Sequence, residues 1–141
     1  MITIQQIRQV IENSEWISIT TEIRPGIVKT ATGDVKPLYC SRRFIYPGNE
    51  RFELTFINYA DAYGKIPLVK MLIKGHLHFG NPHPIAGGAY ELDYIGDEDF
   101  EITLMHEGFA NALNAAPLSD GISKWEVNVP QIVLNKTVPA F

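Results

Sequence analysis

A single cysteine in 141 residues leaves Cys40 without an internal partner, so no disulfide can staple this chain. The start, Met1-Ile2-Thr3-Ile4-Gln5-Gln6, has neither the basic region nor the long apolar core of a secretory leader. Nowhere does an apolar run approach the ~20 residues that span a bilayer. These absences point to the cytoplasm and to no transmembrane segment. Positive charge is scarce too. Twelve Lys and Arg face sixteen Asp and Glu, a net charge of −4, and the longest basic run is Arg42-Arg43. A protein that works by neutralising phosphates is normally basic, which argues against nucleic acid as a partner. Glycine-rich phosphate loops, dinucleotide fingerprints, nucleophile elbows and Cys/His zinc spacings are all missing, so neither cofactor nor metal is expected. With 45% apolar and 20% charged residues, the chain has the composition of a folded domain.

What the chain does have is alternation. Thr3 and Gln6 stand at capping-box spacing, and Ile4, Ile7 and Ile11 follow at helical intervals, which predicts a short helix over 3–13. From residue 16 the period changes to two. Strands are predicted over 16–24, 38–46, 51–59 and 66–79, then 89–95 and 100–106 on either side of an acidic turn, Gly96-Asp97-Glu98-Asp99. Pro25-Gly26 and Pro47-Gly48-Asn49 mark turns, and the polar segment 27–37 reads as a loop. A second short helix is predicted over 107–116, ahead of Pro117, with closing strands in 122–135. There is no repeat or linker. The pattern predicts one all-β domain with short helices over 1–141, an antiparallel β-barrel of the lipocalin or calycin kind. Its strands lie in 16–106, and the N-terminal helix caps one end.

Several groups are candidates for chemistry. His76 and His78, two apart on a strand with His83 nearby, have the spacing of metal ligands. By parity they share a face with Lys70 and Lys74, which makes them surface residues unless a bulge at Gly75 turns them inward. His106 falls in phase with Phe100, Ile102 and Leu104 at a strand end. There it either fixes the corner into the next helix or serves as a proton donor and acceptor. Glu22 and Arg24 share a face with Trp16, Ser18 and Thr20. In a simple sandwich that row faces solvent as an ion pair; in a ligand barrel it faces the lumen, where Arg24 binds a carboxylate and Glu22 holds it. Tyr46, Phe52, Phe56, Tyr59, Tyr90 and Tyr94 are core packing or the lining of a polar-rimmed cavity. Cys40, beside Ser41-Arg42-Arg43, reads as a packing residue, with activation of its thiol by the two arginines as the alternative.

The order Trp16…Glu22-x-Arg24-Pro25-Gly26, Phe44-x-Tyr46-Pro47, Arg51-Phe52, Tyr59-x-Asp61…Pro67, Ile73-x-Gly75 and Gly88-x-Tyr90 resembles the repeated domain of the adenomatosis polyposis coli down-regulated protein family, known as Wnt-signalling inhibitors. The resemblance covers roughly residues 14–114. It implies an antiparallel barrel linked to binding a lipid such as an acyl chain. Where the family carries cysteines, before Glu-x-Arg-Pro-Gly and after Tyr-x-Asp, this chain has Thr21 and Gly64. The disulfide-bonded setting and Wnt binding are therefore not carried over, whereas the barrel with an apolar cavity is.

Three functions follow as expectations. The first is binding of a small apolar or fatty-acid-like molecule, with Trp16, Glu22, Arg24, Tyr46, Phe52, Phe56, Tyr59, Tyr90, Tyr94 and His106 at the site. The second is a cofactor-independent cyclase or isomerase using the lumen, with His106 as acid or base beside Arg24 and Glu22. The third is a ligand-free interaction module, a homodimer joined by an exposed strand edge or by Ile17, Ile19 and Ile23.

Overall fold

Thr3 starts the first helix as its spacing predicts. Its hydroxyl accepts from the Gln6 amide at 3.3 Å and the Gln6 side chain accepts from the Thr3 amide at 2.9 Å, satisfying two groups that a helix start leaves free. A computed structural model describes residues 1–139 and 141, and the helix, α1, spans Ile4–Ile11. The strands are β1 Ser14–Ile17, β2 Glu22–Lys29, β3 Val35–Gly48, β4 Arg51–Tyr59, β5 Pro67–Pro82, β6 Tyr90–Leu104 and β7 Gln131–Ile132; a second helix, α2, spans Glu107–Asn114. All pairings are antiparallel. No helix among the described residues is long and apolar enough to cross a membrane.

The order β1–β3–β4–β5–β6–β7, with β2 also on β3, is an open path, and no ladder joins its two ends among the described residues. The all-β antiparallel class is as expected; closure into a barrel is not seen. The sheet nonetheless curls hard. Three strand spacings, roughly 14 Å in a flat sheet, separate β6 from β3, yet the Tyr94 ring lies 5.4 Å from that of Phe44.

Register sorts the side chains onto two faces. Trp16, Phe44, Leu54, Ile73 and Phe100 form one row, and Glu22, Cys40, Asn58, Val69 and Leu104 another, both on what we call the inner face. Two apolar clusters form there. One, around Tyr46, Phe52 and Leu77, lies under Ile11 of α1; the other, around Val69, Ile102 and Leu104, is covered by Ala110 of α2 and by Ile122, Trp125 and Val133. The outer face is a lattice of surface ion pairs, Arg43 with Glu15 at 2.6 Å and Lys74 with Glu53 at 3.7 Å.

Four boundaries differ from the sequence reading. The strand expected over 16–24 is broken: β1 leaves β3 at the Ile17↔Arg43 pair and β2 rejoins at Glu22↔Cys40. The detour carries two residues more than β3 does over the same stretch, so Trp16 and Glu22 stay on one face. The segments 89–95 and 100–106 are a single strand, with the acidic stretch a bulge inside it rather than a turn. The expected loop over 27–37 is mostly hairpin, since β2 runs to Lys29 and β3 starts at Val35. Finally, 122–130 is irregular. Ile122 and Trp125 are buried three apart, and the Asn114 side chain grips the Trp125 amide and carbonyl at 2.8 Å each. On the outer side Ile17 and Ile23 are about two-thirds exposed, 67% and 66%. Pro25 interrupts the β2 edge there, which discourages strand addition.

Thr21 and Gly64, the positions where the resembling family has cysteines, meet in space: a Cβ built on Gly64 would lie 2.8 Å from Thr21 Oγ1. Cysteines placed at both positions are expected to oxidise to an intramolecular disulfide, detected as a reductant-sensitive mass and mobility change. Free thiols persisting under air would refute the proximity. No gain in stability is expected, because Gly64 has φ +67° and a side chain there is strained.

Candidate functional site

Glu22 stands on the inner face at the centre of a charged group. Its two carboxylate oxygens accept from Arg42 Nε and Nη2 at 2.8 and 2.7 Å, a bidentate pair. Arg24 Nη2 donates to it at 3.2 Å and Ser18 Oγ at 3.1 Å. The Arg42 bond is the main reason the Glu22 carboxyl is held down at about 2, with Arg24 and Ser18 adding to it against the cost of desolvation. The same bond raises the Arg42 guanidinium above its ordinary value. Glu22 has 25% of its side chain in solvent, against 49% for Arg24. Arg42 is therefore consumed by Glu22, while Arg24 spends one hydrogen bond and presents its remaining donors outward. One carboxylate between two guanidiniums leaves the group with a net charge of +1.

Apolar surface adjoins it. Phe56 pairs with Arg42 across β3 and β4, Trp16 pairs with Phe44, and Arg42 lies 6.0 Å from the Phe44 ring centre. Trp16 is 52% exposed. Beyond Phe44, Tyr46 stacks at 6.0 Å and Tyr94 meets Phe52 edge-on at 5.0 Å. The Tyr46 and Tyr94 hydroxyls are 2.8 Å apart. Burial, then that bond, pushes the Tyr46 phenol well above its usual range, so it stays neutral.

The structure thus brings together Trp16, Glu22, Arg24, Tyr46, Phe52, Phe56 and Tyr94. It sets the other candidates elsewhere. Tyr59 stands on the outer face, its hydroxyl 3.0 Å from Ser41 Oγ; a position odd in phase with Phe52 and Phe56 cannot share their side. Tyr90 reaches the Ile2 carbonyl at 3.3 Å, at the α1 end. His106 is exposed rather than in the core, and its Nδ1 accepts from the Phe109 amide at 3.2 Å as the N-cap of α2. It lies beyond Leu104, four strand spacings along the row from Glu22, roughly 19 Å measured over the sheet. The hydrogen bond its ring makes goes to the Phe109 amide, not to Arg24 or Glu22.

His76 and His78 are exposed on the outer face as parity requires. His76 Nδ1 is 2.9 Å from Asp97 and its Nε2 is 3.3 Å from Glu98. The bulge beside Gly75 belongs to β6, and the β4–β5 ladder runs through Phe52↔Gly75 undisturbed, so neither ring turns inward. No group of three or more His, Cys, Asp or Glu among the described residues is placed to hold a metal ion. The Cys40 thiol is buried, and desolvation with help from Glu22 pushes it above its ordinary value, the opposite of an activated nucleophile.

Arg42 is the site residue that sequence reasoning missed. Read as half of a basic pair, it looks like surface charge. Neighbours on a strand point to opposite faces, however, and Arg42 is in phase with Cys40, Phe44 and Tyr46 while Arg43 goes out to Glu15.

No curated protein matches the chain. A family model does, over residues 1–138, that of adenomatosis polyposis coli down-regulated 1. With the match running over nearly its whole length, the chain belongs to the adenomatosis polyposis coli down-regulated 1 family.

Proposed function

We propose that the inner face binds a small amphipathic molecule, an apolar body of the fatty-acid kind with an anionic end. The observation that carries this reading is the position of the Glu22–Arg42–Arg24 group, net positive and set among Trp16, Phe44 and Phe56 on the face that elsewhere forms the core. Arg24 keeps half of its side chain in water, so its spare donors are open to an incoming anion beside that apolar surface. Arg24 supplies the free donors. Glu22 and Arg42 hold it in place, and the half-exposed Trp16 with the partly buried Phe44 and Phe56 supplies the apolar contact area that a tail covers.

The test is uptake of cis-parinaric acid, a carboxylate-headed fluorescent lipid, by the purified chain. Saturable binding is expected, with Arg24→Ala weakening it about fivefold; that is less than a fully buried charged hydrogen bond would give, because water reaches half of Arg24. Replacing the probe by its methyl ester should erase the difference between wild type and variant. Equal affinity of acid and ester for the wild-type chain would remove Arg24 from the site.

A further inference from the structure

Beneath α1 lies a cleft of about 330 Å³ with an apolar wall of Ile11, Tyr46, Leu77 and Phe79 and a polar one made by Arg8, its polar neighbours along residues 5–12 and the turn 48–51. Its wall is continuous with the inner face through Tyr46, which stacks on Phe44, the partner of Trp16. The helix above it is lightly held. None of its residues is buried; Ile11 packs on the Tyr46–Phe52–Leu77 cluster, and Arg8 is its charged tether. That guanidinium sits 4.7 Å over the Phe79 ring and donates to Glu50 at 2.7 Å, while its buried Nε has no partner among the described residues.

Glu50 is an odd residue for its place. It follows Asn49 in the tight turn that joins β3 to β4, and both have φ 54°. A two-residue hairpin with positive φ at both positions favours glycine at the second, because a side chain there is strained. The chain places a glutamate instead, and that glutamate holds Arg8.

We propose that α1 is a latch over the far end of the ligand site, with the Arg8–Glu50 pair holding it shut over a cleft that takes the end of the apolar tail. This rests on the amphiphile reading above. The anionic end would lie where Arg24 Nη2 meets Glu22, opposite Cys40 on β3, and the tail would run along β3 to Tyr46, six residues on. At ~3.3 Å per residue that is about 20 Å, the span of a long acyl chain. Entry and exit then require the helix to lift.

Two variants test the latch, with two readouts. Glu50→Gly removes the grip and relieves the turn, so the thermal midpoint should rise by roughly 3 °C. Arg8→Gln removes the grip without relieving the turn. In both, α1 amides should exchange with solvent roughly threefold faster in the ligand-free chain, the scale of an exposed ion pair. Release of cis-parinaric acid, followed by stopped flow, should quicken by a similar factor. A glutamate that merely stabilised the turn would instead lower the midpoint when replaced by glycine. Unchanged α1 exchange in both variants overturns the latch. Faster exchange with unchanged release overturns the cleft as the tail's route. If the wild-type chain takes up no parinaric acid, the amphiphile reading falls and the tail route with it, while the exchange data alone still decide the tether.

Discussion

Gly75→Ala should lower the unfolding free energy by about 3 kcal/mol or more, placing it among the severe single substitutions. A Cβ at this position would lie 1.8 Å from the Ile95 carbonyl oxygen and 2.9 Å from the Asp97 amide nitrogen. Both are backbone atoms of β6, so no side chain can swing aside. Between the pairs Lys74↔Asp99 and His76↔Ile95, β5 supplies one residue and β6 supplies three. The two extra residues bend β6 while keeping its faces in phase, and Gly75 is what lets the bend close against β5. That bend brings Tyr94 back over the sheet onto Phe44 and Phe52. The variant should therefore lose parinaric acid binding even where some fold remains. Urea unfolding measures the effect, with Gly87→Ala as control, since no atom of the described residues lies within 4 Å of a Cβ there and its φ is not positive. A Gly75→Ala chain as stable as the control would mean that the bulge yields easily and does not set the curl.

The faces of the sheet were legible because alternation is local. Phe52, Leu54 and Phe56 in 51–59, and Val69, Met71 and Ile73 against Lys70 and Lys74, sort themselves without knowledge of any partner. What alternation cannot report is how many residues the partner strand spends over the same distance. Ile17-Ser18-Ile19-Thr20 continues the pattern of Trp16, so nothing in it reveals that β3 spans the gap with two residues fewer. The acidic run 96–99 has the composition of a reversal. Its true role follows from the sixteen-residue β5, which needs a partner along its whole length. His106 was misplaced for a related reason: parity was extended past Leu104, where β6 ends. Tyr59 is different, because the phase of its own strand against Phe52 and Phe56 already puts it outside. For the site, Glu22 and Arg24 were found as a same-face pair, but the lumen-or-solvent question depends on what lies across β3. Arg42 and Phe56 put the pair on the core-bearing face only in three dimensions, with Arg24 half in water.

Glu22→Gln should destabilise the chain by about 2 kcal/mol at pH 7, and the loss should fade in acid. The sign follows from the direction of the shift. The Glu22 carboxyl titrates at about 2 in the folded chain against an ordinary 4.5, first because of the Arg42 hydrogen bonds. A group depressed on folding stabilises the native state fully above its unfolded value, and that contribution is lost as pH falls through 4.5 toward 2. The whole shift corresponds to about 3 kcal/mol, and solvent at a quarter of the Glu22 side chain trims it to the smaller figure. Glutamine keeps the shape and one acceptor but leaves Arg42 and Arg24 facing each other with no anion between them, so the penalty at neutral pH includes their repulsion. Urea unfolding of both proteins at pH 7, 4 and 2.5 reads the effect. The gap should be widest at pH 7 and narrow at each step down. A gap that stays constant from pH 7 to 2.5 would mean that packing, not the carboxylate charge, is what Glu22 contributes, and the charged group could not then be the device that holds Arg24 ready for an anion.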